Sequence, residues 1–197
     1  INMNLKECFD KYKCDKSLRH HYYKVYEPAF EKRKNDKINF LEVGVLEGRS
    51  TKALLDYFPN MTYYGIDIFA RVPIEDLKDI TENSRVHLLN HDSTSDKLPS
   101  AIKEAWGDIS FDFIIDDAVH WPEYQIPTFL NCIEFLKGNG YFWIEDCFHP
   151  KYDIPSEHEK LINAIKKSNT CKSMAKQSCV KFSRDPESVI YEMIKKD

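Results

Sequence analysis

The sequence predicts an α/β protein in which a mostly parallel sheet carries helices on both faces. Three observations carry that prediction. After Pro28, short apolar runs of strand length alternate with segments of helical period. A glycine-bearing turn, INFLEVGVLEGRS at residues 38–50, directly follows the first of those runs. Acidic residues then punctuate the ends of the runs in order: Asp67, Asp92, Asp116 with Asp117, and Glu145 with Asp146.

The elements follow from the N-terminus. Residues 1–36 read as a helical, polar extension, and residues 37–197 as the sheet core of one domain. Residues 38–43 form the first strand, and residues 49–58 the first core helix, with Leu54, Leu55 and Phe58 on one side. Residues 61–67 (MTYYGID) and 85–89 (RVHLL) are the second and third strands. A helix over 99–106 places Ile102, Ala105 and Trp106 together, and 111–115 (FDFII) is the fourth strand. Residues 121–137 carry Ile126, Phe129, Leu130, Ile133 and Leu136 on one stripe, a helix ended by Gly138-Asn139-Gly140. Residues 141–144 are the fifth strand, and the capping box Ser156-Glu157-His158-Glu159 opens a helix to residue 167. Such alternation means βαβ units with right-handed crossovers. In the tail, Asp185-Pro186 fits a helix cap, but residues 178–183 and 189–195 alternate as a hairpin, which is the preferred reading.

Composition narrows the function classes. With 197 residues, 42% hydrophobic and 30% charged, the chain is an ordinary globular domain. It has no run of ~18 apolar residues, so no membrane partner is expected. The charged first residues do not make a signal peptide, and a cytoplasmic location follows as an expectation. A net charge of −4 and a pI near 6.0, with basic residues interrupted at 31–37 and 166–176, disfavour nucleic acid as a partner. Six cysteines without a CxxC pair read as reduced and structural. The initial Ile suggests a domain excised from a longer chain, for which a homo-oligomer and a fusion to glycan-modifying domains are both open expectations.

The glycine turn does not fit a dinucleotide. In G-x-G-x-x-G the glycines permit a tight turn, close pyrophosphate approach and helix–strand packing. Counted from Gly44, the second and third positions are Leu46 and Arg49, whose side chains would obstruct a pyrophosphate. Glu42 would repel a pyrophosphate and suit an ammonium or sulfonium instead. S-adenosylmethionine carries both, with an adenosine and no phosphate. Asp67 stands where an acid bonds ribose hydroxyls, and Asp92 is placed to reach the adenine.

The motifs LEVGVLEGRS, YYGIDIF, NHDSTS and FDFIIDDAVH together resemble those of class I S-adenosylmethionine-dependent methyltransferases, from about residue 10 to the end. The resemblance implies a Rossmann-like seven-stranded sheet with its last strand antiparallel, which favours the terminal hairpin. It also implies a cofactor site made by Glu42, Gly44, Gly48 and Ser50, then Asp67 and Ile68, Asp92 and Ser93, and Asp116.

The acids at the fourth and fifth strand ends should meet on one rim, since those strands should be neighbours. Crowded carboxylates need a neutralising charge, and oxygen ligands suit Mg²⁺, Ca²⁺ or Mn²⁺. His120, three residues past Asp117, is a candidate general base. DDAVH followed by ED resembles metal-dependent sugar O-methyltransferases of the mycinamicin and macrocin type. By that resemblance Asp117 and Asp146, joined by Glu145, would hold Mg²⁺ or Mn²⁺ against vicinal hydroxyls of a small-molecule or glycan substrate. His120 would take the proton. CDKSLRHHYYKVYEPAF resembles the same group's opening pattern and would bring Lys16, His21 and Tyr23 over the cofactor or acceptor. Ala118 and Val119 depart from the smaller or polar residues usual there, which leaves the acceptor open. A catechol-type O-methyltransferase, a nicotinamide-dependent oxidoreductase and a non-catalytic cofactor-binding domain are the rival readings.

Overall fold

The computed structural model describes residues 2–147, 155–179 and 188–197. Its centre is one seven-stranded sheet made of β1 (Asn39–Val43), β2 (Thr62–Asp67), β3 (Val86–Asn90), β4 (Phe111–Asp116), β5 (Leu136–Ile144), β6 (Cys171–Cys179) and β7 (Ser188–Lys195). The order is β3-β2-β1-β4-β5-β7-β6. The pairs from β3 to β5 are parallel, and β7 runs antiparallel to both β5 and β6. The expected sheet with its reversed last strand is what forms. The order reverses between β1 and β4, so their carboxyl ends open the crevice in which such sheets bind ligands.

Strand alternation divides the core between two faces. One face collects Phe40, Tyr63, Phe113, Ile115 and Trp143. Over it lie α1 (Leu5–Lys11), α2 (Asp15–Leu18), α3 (Tyr23–Glu31) and α4 (Arg49–Tyr57). The other collects Leu41, Val43, Ile114, Phe142 and Ile144 under α6 (Leu98–Trp106), α7 (Pro122–Cys132) and α8 (Pro155–Ser168), while α5 (Lys78–Thr81) packs near Val45. The N-terminal extension is therefore not a polar appendage: Leu5, Phe9, Tyr22, Tyr26 and Phe30 are all buried.

Three expectations fail locally. The helix expected over 121–137 stops at Cys132, and Gly138-Asn139-Gly140 lie inside β5 rather than past a helix end. Leu130, expected on the buried stripe, is exposed. Leu136 pairs with Phe111 and Tyr141 with Phe113, so the extra glycine-containing residues are absorbed as a bulge, with Asn139 at φ +62°. The hairpin forms, but its first strand begins at Cys171 rather than residue 178. Helix α8 already contains Ser156, so the expected capping box does not mark its start; the side chain of Ser156 and the Asp185-Pro186 pair lie outside the described residues. All six cysteines are free thiols. Among the described residues no helix is long and apolar enough to cross a membrane.

Candidate active site

The site grows from the β1–α4 turn. Gly44 holds φ +93°, and a Cβ there would stand 2.4 Å from the carbonyl oxygen of Asp117. The glycine is needed because the backbone after β4 crosses against it. Gly48, at φ +73°, starts α4 against Ile80. Between them Leu46 also adopts a left-handed backbone, φ +50°, which is uncommon for a non-glycine residue. Position 46 thus keeps a glycine-like conformation with a leucine side chain, half of which is exposed. Asp67 holds it there: its Oδ2 accepts from the amides of Val45 (2.7 Å) and Leu46 (3.1 Å), and its Oδ1 accepts from Phe69 (2.8 Å). Asp67 is therefore the keystone of the turn, and its neighbour Ile68 is exposed at the strand end.

Glu42 lies beneath the turn, fully buried. Its Oε2 accepts from Ser50 and its Oε1 from Tyr63, both at 2.7 Å. Burial raises its carboxyl above the usual range, against the pull of Lys16 and of these two donors. Glu42 and Ser50 thus support the turn from inside. Asp92 is exposed and accepts from the amide and hydroxyl of Thr94, which lower its pKa. Ser93 is buried against the hydroxyl of Thr128.

The acids after β4 and β5 do not all converge. Alternation sends Asp116 to the α7 face, where burial raises its carboxyl to about 7. Its Oδ1 accepts from the Ala118 amide, and its Oδ2 has no hydrogen-bond partner among the described residues. Asp117 and Glu145 fall on the opposite face with Glu42, the face that α2 and α3 cover. There the fully buried Lys16 places Nζ 2.7 Å from Asp117 Oδ2, 2.7 Å from Glu145 Oε2 and 4.0 Å from Glu42 Oε2. Burial alone would lower the lysine's pKa, but Asp117, Glu145 and Glu42 together hold it well above the ordinary value. The remaining Glu145 oxygen accepts from Tyr26 at 2.5 Å. Glu145, expected as a metal ligand, is instead fully engaged inside, and Lys16, expected over the cofactor, sits beneath the rim.

Three groups remain at the opening. Asp117, His120 and Asp146 each offer one ligand atom, all within 4.8 Å of one another. His120 Nε2 lies 3.4 Å from Asp117 Oδ1 and 3.3 Å from Asp146 Oδ2. Asp146 is turned outward by a left-handed backbone, φ +54°, and its Oδ1 accepts from Tyr22 at 2.6 Å. Burial disfavours the charged imidazole, but the Asp117 bond and the Asp146 charge raise its pKa to about 9. The two carboxylates fit a divalent cation such as Mn²⁺ or Mg²⁺, with the imidazole of His120 beside them. Tyr23 packs half-buried against the core and the His21 ring, and it is the buried Tyr22 and Tyr26 whose hydroxyls bond the strand-end acids Asp146 and Glu145. Period-three-to-four spacing along α3 could have singled out that pair, since residues 22 and 26 share a helix face. Trp143 is core, its indole donating to Glu192.

This strand order, with the acid-supported turn at the topological switch, defines the class I S-adenosylmethionine-dependent methyltransferase fold. No protein-family model matches the chain, and no curated protein matches it. Among solved structures it is similar to the MycE methyltransferase from the mycinamycin biosynthetic pathway, in complex with Mg, S-adenosylhomocysteine (SAH) and mycinamycin VI. That likeness has a TM-score of 0.75 and 19% identity, and covers 99% of this chain and 55% of that one. The chain therefore spans about half the length of MycE. It is also similar to fibrillarin from Aeropyrum pernix with bound S-adenosyl-L-methionine (TM-score 0.63, 18% identity, 81% of this chain and 67% of that one). The N-methyltransferase NodS from Bradyrhizobium japonicum is a third (TM-score 0.62, 15% identity, 90% and 95%).

Proposed function

We propose that the chain is an S-adenosylmethionine-dependent O-methyltransferase, assisted by a divalent cation, that acts on a sugar hydroxyl of a glycan or glycoside. The observation that carries this reading is the Asp117–His120–Asp146 constellation, set at strand ends beside the turn that Asp67 holds. The likeness to MycE, whose structure contains Mg and SAH, supports it. S-adenosylmethionine would supply an electrophilic methyl on a sulfonium, and a cation on Asp117 and Asp146 would act as Lewis acid and template for vicinal hydroxyls.

The chain's own residues have separable tasks. Asp67 fixes the turn against which the cofactor lies, and the apolar side chains of Leu46 and Ile68 flank it. Asp117 and Asp146 orient the acceptor, and orientation of this kind can supply ~7–11 kcal/mol of a barrier. His120 is the group in reach of the acceptor proton. The two carboxylates beside it keep it charged, so it acts as base only where their field is shared with another cation.

Calorimetric titration with SAH, repeated with NAD, with and without Mg²⁺, tests the cofactor. Micromolar SAH binding with no NAD binding is expected; the reverse would establish a nicotinamide enzyme. Methyl transfer to sugars that stops in excess EDTA is the second expectation. Transfer to catechols alone would move the substrate to flat aromatic diols, and undiminished transfer in EDTA would remove the metal.

A further inference from the structure

Lys16 is a fully buried lysine, and nothing in the proposed methyl transfer requires a cation below the rim. Holding an ammonium there sacrifices hydration and rotamer freedom, so its position is set by its partners. Those partners show a division of labour. Glu145 spends both oxygens inward, on Lys16 and Tyr26. Asp117 spends Oδ2 on Lys16 and keeps Oδ1 toward His120, while Asp146 spends Oδ1 on Tyr22 and keeps Oδ2 toward His120. The N-terminal helices thus engage four of the six oxygens of these three carboxyl groups and leave one on each aspartate for the opening.

We propose that Lys16 is a positioning residue, a built-in cation that draws Glu145 out of any coordination shell and limits the divalent site to the outward oxygens of Asp117 and Asp146. The inference rests on the reading that those two aspartates hold a cation. Lys16 selects which acids face the acceptor, and it lowers the charge of the site so that a divalent ion binds reversibly.

Mn²⁺ titration of the intact protein, read by the electron paramagnetic resonance of free and bound ion, tests this without turnover. In Lys16→Met the repelling charge is gone and Glu145 is released, so Mn²⁺ affinity should rise roughly tenfold or more. In the double variant Lys16→Met/Glu145→Gln that gain should disappear. Glu145→Gln alone, which keeps the Tyr26 acceptor and tests the idea even if Lys16→Met does not fold, should stay within about fivefold of the parent, whereas Asp146→Asn should lose binding. Unchanged or weaker affinity in Lys16→Met, or equal losses in Glu145→Gln and Asp146→Asn, would overturn the proposal. Binding by Lys16→Met but not by the parent would overturn the proposal, since Lys16 would then exclude the divalent ion rather than limit its site, and would remove that ion from the proposed function. No Mn²⁺ binding by any folded member of the set would overturn both.

Discussion

Gly44 and Leu46 hold left-handed backbone two residues apart, for different reasons. Gly44 lacks room as well as backbone freedom, since a Cβ would meet the Asp117 carbonyl at 2.4 Å. Gly44→Ala should therefore cost about 2–4 kcal/mol and displace the segment carrying Asp117, read as a lowered urea midpoint together with lost cation binding. Leu46 has an exposed side chain, and its strained backbone is tied by Asp67. Leu46→Gly should leave stability unchanged or raise it by up to ~1 kcal/mol in the same measurement. A loss beyond 1 kcal/mol would mean that the leucine side chain, not the turn, is what matters there. For His120, replacement by Ala should reduce turnover by ~10²–10⁴-fold while SAH affinity stays near normal; parental turnover would remove it from the chemistry. The roles of Glu42 and Asp67 were legible only in part. Their positions at strand ends could be read from spacing, but whether a carboxylate faces a ligand or its own backbone depends on partners such as Tyr63 and Val45 that no local pattern names.

Elements decide which acids meet. In β4 and β5 the side chains alternate, so Ile115 and Trp143 face α3 while Ile114 and Ile144 face α7. Extending that alternation past the strand ends puts Asp117 and Glu145 with Glu42 on the α3 face and Asp116 on the other. This separation was readable in the sequence as a period of two, whereas reading all the acids as one cluster took account only of the strands being neighbours and not of the face each side chain takes. The bulge in β5 was not readable, because Gly138-Asn139-Gly140 is also a good helix stop. Helix α3 closes the acid-bearing face, and Phe30 is its anchor, with ring centroids 5.0 Å from Phe58, 5.2 Å from Phe113 and 5.5 Å from Trp143. Phe30→Ala should cost ~3–5 kcal/mol, measured by urea unfolding. A cost under 1 kcal/mol would show that the N-terminal helices are a detachable extension after all.

At the scale of the whole molecule, the fold class was legible because strand and helix periods alternate cleanly from residue 38 to residue 144. The place of the N-terminal helices was not, because charged residues interleave their buried positions. Their burial makes both ends of the chain part of one core: Cys8 in α1 and Cys179 in β6 belong to the same cluster. Burial pushes each thiol from the ordinary 9.0 up to about 11. In the unfolded chain both ionise near 9, while the folded chain keeps their protons to about 11. The unfolded state therefore releases protons first, and the thiols' contribution to stability is complete below pH 9 and lost as pH rises towards 11. Thermal unfolding followed from pH 8 to 11 should show a falling Tm that remains a single transition for the whole domain. The double variant Cys8→Ala/Cys179→Ala should show a shallower fall across the same window. Equal slopes would place the alkaline sensitivity in other groups, and two separate transitions would mean that the N-terminal helices and the hairpin do not share the cooperative unit that their common core implies.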